Sequence, residues 1–186
     1  MPLTFSIRAL NAASESQAAA MMDRIVERAA WLAHRAVAAR PFRDADDLAD
    51  WLGVHVQALP REEAVQLLCA HPELAPPDPA AITEASQIEQ RRLRLLTPTP
   101  ELSARLTDLN RGYLRRHGFP FVIALHAQED MSAVLSQFER RLASDPEEEL
   151  ARSLKEVASV MRARLDRLCG LGSRDADAVA DNGVAP

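Results

Sequence analysis

The stretch Asp145-Pro146-Glu147-Glu148-Glu149-Leu150-Ala151-Arg152-Ser153-Leu154-Lys155-Glu156-Val157-Ala158-Ser159-Val160-Met161-Arg162-Ala163-Arg164-Leu165-Asp166-Arg167-Leu168 reads as one long amphipathic helix. Asp145 suits the cap, Pro146 the first turn and the glutamates the positive end of the dipole. Leu150, Leu154, Val157, Met161, Leu165 and Leu168 then recur every three or four residues, the longest uninterrupted apolar stripe in the chain. Such a face must be buried against other elements, and the same period supplies them upstream.

Ser14 with Gln17 has capping-box spacing, and Met22, Ile25, Ala29 and Leu32 predict one helical run that Pro41 ends. A second helix is expected from Asp44 through Leu48, Leu52 and Val56, and a third over residues 61–70 after Pro60. Thr99-Pro100 opens a helix with Leu102, Leu106, Leu109 and Tyr113 on one face, and Gly118 stops it. Asp130 opens another, with Met131, Leu135, Phe138 and Leu142 facing inward. Residues 119–125 alone have strand composition, and a lone strand has nothing to pair with, so they read as a buried extended link or a helix start. These elements predict an all-α fold: a compact single-domain multi-helix bundle over residues 1–172. Residues 173–186, rich in Ala, Asp and Gly, are expected to form a disordered tail.

With 186 residues and 47% apolar composition, one domain can bury a substantial core. A net charge of −5 gives no nucleic-acid footprint, which would require a basic face. No run has the length and apolarity of a membrane span, and the N-terminal residues lack the pattern of a signal peptide, so a cytoplasmic protein is expected. Cys69 and Cys169 lie in apolar patterns without metal-ligand spacing, and are expected to be reduced core residues. No metal site is expected.

The chemistry gathers between residues 71 and 90. Pro72 forces a helix to end at His71, where the dipole favours the imidazolium by a few tenths to ~2 kcal/mol, the direction useful for a proton donor. After the stiff turn Ala75-Pro76-Pro77-Asp78-Pro79, helical spacing puts Ser86, Glu89 and Gln90 on one face. Position alone makes His71 a helix-ending residue and Glu89 a solvated charge; their juxtaposition with Ser86 and Gln90 raises the pair to a candidate site.

His71-Pro72-Glu73-Leu74-Ala75, Ser86-Gln87-Ile88-Glu89-Gln90 and Gly118-Phe119-Pro120-Phe121-Val122-Ile123 together resemble the OHCU decarboxylase family (2-oxo-4-hydroxy-4-carboxy-5-ureidoimidazoline decarboxylase). The likeness extends to Val26-Glu27-Arg28, Arg40-Pro41-Phe42, Leu109-Asn110, Arg140-Arg141-Leu142 and Arg164-Leu165. It implies a cofactor-free, metal-free, homodimeric enzyme of urate breakdown that removes CO2 from OHCU and protonates one face to give (S)-allantoin. His71 then matches the catalytic histidine, as general acid, and Glu89 the catalytic glutamate. Ser86 and Gln90, with Gln87 and Ile88 between them, match substrate-binding positions. Pro72 would pack on the ring, and the main chain of Phe121, Val122, Ile123, Ala124 and Leu125 would form the opposite wall.

An arginine of the last helix should meet a carboxylate or carbonyl. At about 100° per residue, Arg164 lies roughly 60° from the stripe centre at Met161, and Arg162 roughly 100° the other way, which favours Arg164. Two cations, Arg91 and Arg92, directly follow Gln90. They leave open the alternatives of a helical interaction module that kept the fold, or a paralogue acting on another ureide.

Overall fold

The structure is a computed structural model that describes residues 5–78 and 82–171, so the expected tail at 173–186 lies outside the described residues. The order of elements is α1 (Ile7–Ala12), α2 (Glu15–Val26), α3 (Ala30–Ala38), α4 (Ala45–Gln57), α5 (Arg61–Cys69), α6 (Glu84–Arg91), α7 (Pro100–His117), a 3-10 turn (Leu125–Ala127), α8 (Met131–Leu142) and α9 (Pro146–Leu168). The described residues contain no strand: 119–124 run as a buried, extended link. The fold is all-α.

Helix α9 is the axis of the bundle. The Asp145 carboxylate accepts from the Glu147 and Glu148 amides at 2.9 and 3.2 Å, which satisfies two of the orphan donors of its first turn. Its apolar face packs against α4, α2, α5 and α7, burying Leu150, Leu154, Val157, Met161 and Leu165. The helix starts read from sequence at Ser14, Asp44, Thr99 and Asp130 are each capped, the side chain accepting an amide of the first turn. Gly118 stops α7 with φ 80°, in the left-handed region that glycine tolerates.

Four expectations are corrected. The run from Ser14 to Pro41 is two helices, α2 and α3, broken where Glu27 and Arg28 take φ values of 38° and 52°. Such backbone in a residue with a Cβ costs ~1–3 kcal/mol and persists only where its surroundings hold it; here the Glu27 carboxylate is anchored inside the protein. Helix α1 was not expected; Ser6 caps it and it buries Leu10. Cys69 is exposed and Cys169 half-buried, both free thiols rather than core residues. Helix α8 is rotated from its expected face, burying Val134, Phe138 and Arg141 while Met131, Leu135 and Leu142 are only half-buried.

The rotation of α8 has an electrostatic cause. The Arg141 guanidinium is fully buried, 2.7 Å from Glu149 Oε1, and donates to the Val122 carbonyl at 3.0 Å and to Ser153 Oγ at 3.2 Å. It lies 4.5 Å above the Phe121 ring. Tyr113 donates to the same Glu149 carboxylate. A buried arginine is tolerated only when paired and hydrogen-bonded, and this one is spent on holding the link at residues 121–122.

Candidate active site

At the C-terminus of α5, the His71 amide donates to the Leu68 carbonyl at 3.0 Å and the ring Nδ1 lies 2.9 Å from the Leu67 carbonyl. A carbonyl only accepts, so this contact assigns the ring proton to Nδ1 and leaves Nε2 bare in the neutral ring. His71 is 8% exposed. Burial pushes its pKa below the ordinary histidine value; the Leu67 carbonyl opposes this, the Arg164 guanidinium reinforces it, and Glu27 and Glu89 oppose it. The expectation of an imidazolium stabilised by the helix end is therefore corrected: desolvation outweighs the dipole.

Thr83 caps α6 by accepting the Ser86 amide at 3.3 Å, and the helix turns Ser86, Glu89 and Gln90 inward together. Beside them lies a small cavity of about 40 Å³, lined by His71, Pro72, Leu74, Ser86, Glu89, Gln90, Phe121, Val122, Ile123, Leu125, Val160 and Arg164. Ten of the thirteen residues anticipated for the site thus line one cavity. Gln87 and Ile88 do not: Gln87 donates to the Ile82 carbonyl at 3.2 Å, and Ile88 is 45% exposed, because a helix that turns positions 86, 89 and 90 inward turns 87 and 88 away. Ala124 is also displaced from the lining, its amide donating to Glu156 Oε2 at 2.8 Å.

Arg164 is 2% exposed and reaches α6 from α9. Its Nε and Nη2 donate to the two Glu89 oxygens at 2.7 and 2.8 Å, and Nη2 also lies 2.8 Å from Glu27 Oε2. The fork does meet carboxylates, but they are the protein's own. Arg162 instead pairs on the surface with Asp166 and Asp46.

Glu27 is the residue sequence reasoning missed. It is 4% exposed and accepts from Ser86 Oγ at 2.8 and 2.9 Å and from Thr83. Burial pushes the carboxyl up, but the Arg164 charge and the hydrogen bonds of Thr83, Ser86 and Arg164 prevail and hold its pKa below the ordinary value. A continuous helix would have turned Glu27 about 200° from Ile25, onto the outer face; only the left-handed break brings it inside. A larger groove of about 670 Å³ opens on the outer side of this ion cluster, lined in part by Arg24, Glu27, Ile88, Arg164 and Arg167, but it lacks His71. The smaller cavity, which holds His71, is therefore the candidate site.

The amide of Gln90 holds the loop that follows His71. Its Oε1 accepts the Ala75 amide at 2.9 Å and its Nε2 donates to the Glu73 carbonyl at 2.9 Å, clipping the loop after His71 where Ala75 takes φ 51°. Gln90 thus positions the loop after His71 as well as lining the cavity. Gln90→Ala leaves both main-chain groups part-buried without their partner, a loss of about 1–3 kcal/mol. The melting temperature should fall by roughly 2–10 °C in a calorimetric scan; an unchanged melt would remove the clip from the account.

Among the described residues no group of three or more His, Cys, Asp or Glu could hold a metal ion. The cavity instead offers a bare imidazole nitrogen next to a buried carboxylate–guanidinium cluster. That combination suits proton transfer to a bound organic molecule.

The chain is similar to known proteins over most of its length. The family model described as OHCU decarboxylase matches residues 11–166. A Mus musculus protein, 2-oxo-4-hydroxy-4-carboxy-5-ureidoimidazoline decarboxylase, is 35% identical over 158 residues, covering 84% of this chain and 88% of the relative. A Haloferax volcanii protein of the same name is 34% identical over 141 residues, covering 76% and 82%. The fold resembles that of a solved (S)-allantoin synthase, with a TM-score of 0.62 at 24% identity over 88% of this chain, which spans only 54% of that one. With a family match that takes in α2 through most of α9 and the whole lining of the His71 cavity, the chain belongs to the OHCU decarboxylase family.

Proposed function

We propose that this protein decarboxylates 2-oxo-4-hydroxy-4-carboxy-5-ureidoimidazoline to (S)-allantoin in urate degradation, as a cofactor-independent lyase with His71 as the proton carrier. One observation supports it above the others: the bare Nε2 of a neutral, buried imidazole in a cavity whose other polar side chains are held by the protein. When the bond to the carboxylate breaks, CO2 leaves, the bond's electron pair forms a C=C with the neighbouring imine carbon, and the C=N pair passes to the ring nitrogen, which takes a proton that comes ultimately from solvent. The resulting enol becomes a carbonyl as its hydroxyl proton leaves and the former imine carbon gains one. Neutral His71 takes the hydroxyl proton at Nε2, and the imidazolium so formed is the acid that delivers it to carbon. Glu89, fixed by Arg164 beside it, favours the transient positive charge.

The test is the absorbance decay of freshly generated OHCU with and without a catalytic amount of protein. Decay well above the spontaneous rate is expected; no acceleration would contradict the assignment. A helical interaction module that merely kept the fold would also show no thermal shift with allantoin, since only a ligand that binds the folded state raises its stability.

Because kcat/KM reports the free enzyme, its acid limb should fall below the ordinary histidine range near 6.5. Activity is full while His71 is neutral and is lost as pH falls through its depressed pKa. A limb centred at or above about 6.5 would rule out the buried neutral imidazole.

The free thiols Cys69 and Cys169 suit a reducing compartment, which supports a cytoplasmic assignment. The family resemblance supports a homodimer. Sedimentation velocity tests that state, with a monomer at micromolar concentration as the contrary result.

A further inference from the structure

The cavity beside His71, at about 40 Å³, has room for a few water molecules, whereas small-molecule sites typically enclose roughly 300–1,000 Å³. One of its walls must therefore move for a ureide to enter and again to enclose it. The two walls are differently held. On the α6 side, Gln90 clips the loop after His71. The opposite wall is tied to its own scaffold, since Arg141 holds the Val122 carbonyl, Glu156 the Ala124 amide, and Gln128 donates to the Ala124 carbonyl at 3.3 Å.

Between the walls runs Arg92, just past the end of α6. Its Nη2 donates to the carbonyls of Leu125 and Gln128, which bracket the 3-10 turn. The Leu125 carbonyl also accepts the Gln128 amide at 3.1 Å, so the guanidinium clasps the turn at both ends. Leu125 lines the cavity, so the bond crosses the cleft from the helix bearing Ser86 and Glu89 to the wall facing them. Unlike the fully buried Arg141, Arg92 is exposed, so its bonds can exchange for water with little loss.

We propose that Arg92 is a positioning residue that straps the Leu125 wall to α6, closing the cavity over bound substrate and keeping bulk water from the reacting carbon. This rests on the decarboxylase reading above. Once CO2 has left, the flat intermediate takes its new C–H proton either from the protein on one face or from water on either. In a cavity left ajar, water competes, and the product drifts towards the racemate that uncatalysed decay gives.

The experiment pairs two readouts on Arg92→Ala, with Arg92→Lys and Arg91→Ala alongside. Arg91 is an exposed neighbouring cation outside the cavity lining. Hydrogen exchange should quicken at residues 124–128 in Arg92→Ala while the amides of α4 keep wild-type rates. With OHCU, KM should rise roughly 3- to 10-fold, and the enantiomeric excess of allantoin, corrected for spontaneous decay, should fall by half or more. Arg92→Lys retains the charge but not the fork, so its values should lie between wild type and Ala, and Arg91→Ala should match wild type. A general loss of folding would lower the active fraction without changing the handedness of what remains.

Unchanged exchange at 124–128 overturns the strap. Faster exchange with unchanged KM and enantiomeric excess overturns its part in shielding the chemistry. If Arg92→Ala does not fold, Arg92→Lys decides on the same readouts. If the wild type fails to accelerate OHCU decay, the decarboxylase reading falls, and the exchange comparison still decides whether the strap exists.

Discussion

His71→Asn should lower kcat for OHCU about 10²- to 10⁴-fold, the range of a positioned acid–base group, while the protein stays folded. Asparagine is chosen because its amide nitrogen stands near the place of Nδ1 and keeps the donation to the Leu67 carbonyl, now 2.9 Å. What it removes is the titratable nitrogen. The substitution also carries a stability signature whose sign is opposite to that of most active-site damage. The folded-state pKa of His71 is depressed, so the folded protein binds fewer protons than the unfolded chain below the ordinary histidine value. Stability associated with this group is full above about pH 6.5 and is lost as pH falls through the depressed pKa. His71→Asn should therefore unfold at lower pH than wild type in an acid titration followed by far-UV circular dichroism. If the variant is instead more acid-sensitive, the ring is charged in the folded state and the mechanism needs an imidazolium from the start.

The second large effect belongs to Arg164. Replacing it with methionine keeps much of the stem but strips Glu27 and Glu89 of their shared cation, at distances of 2.7–2.8 Å. Removing one partner of a buried ion cluster costs about 3–5 kcal/mol, because the remaining charge cannot regain water. Arg164→Met should accordingly lower the midpoint of urea unfolding strongly and abolish OHCU turnover, since Glu89 and Ser86 lose their fixed positions together. Arg162→Ala, whose pairs with Asp46 and Asp166 sit at the surface, should change stability by no more than about 1 kcal/mol and leave kcat/KM near wild type. Reversal of that ranking would mean that the wrong arginine has been placed inside.

A second substitution separates charge from packing. In Arg164→Met/Glu27→Gln the stranded carboxylate at position 27 is neutralised, and part of the lost stability should return. Glu27 also predicts a pH trend in the wild type. Its folded-state pKa is lowered, so its contribution is present above the unfolded carboxylate value near 4.3 and is lost as pH falls through the folded one. Glu27 and His71 thus both make the native state acid-sensitive, in separate windows, and the two single variants distinguish them.

Much of this architecture is legible in the residues, for identifiable reasons. The caps at Asp145, Asp130, Thr99 and Ser14 are local chemistry, and local chemistry survives tertiary packing. The convergence of Ser86, Glu89 and Gln90 follows from helical spacing alone, as does the preference for Arg164 over Arg162. What stayed hidden depends on contacts distant in sequence. Periodicity is blind to two left-handed residues, so the break at Glu27 and Arg28 could not be seen, nor the carboxylate it turns inward. Arg141 was invisible for a related reason: an apolar pattern places Leu142 inside, whereas the buried Glu149 and the Val122 carbonyl draw the arginine there instead. The dipole argument at His71 had the right location and the wrong balance, because burial depends on the wall at residues 121–125, far along the chain. Helical spacing put Gln90 on the cavity face, but not its ties to the main chain of Glu73 and Ala75, which depend on the loop's path.

The most direct test of the central claim is the handedness of the product. Freshly made OHCU should be given to wild type and to His71→Asn at equal, catalytic concentrations, and the allantoin followed by circular dichroism as it forms. Wild type should build an (S)-allantoin signal faster than OHCU decays alone, and His71→Asn should yield little beyond the racemic background. A signal of equal size and rate from both proteins would contradict the role of His71, and none from either would contradict the decarboxylase assignment itself.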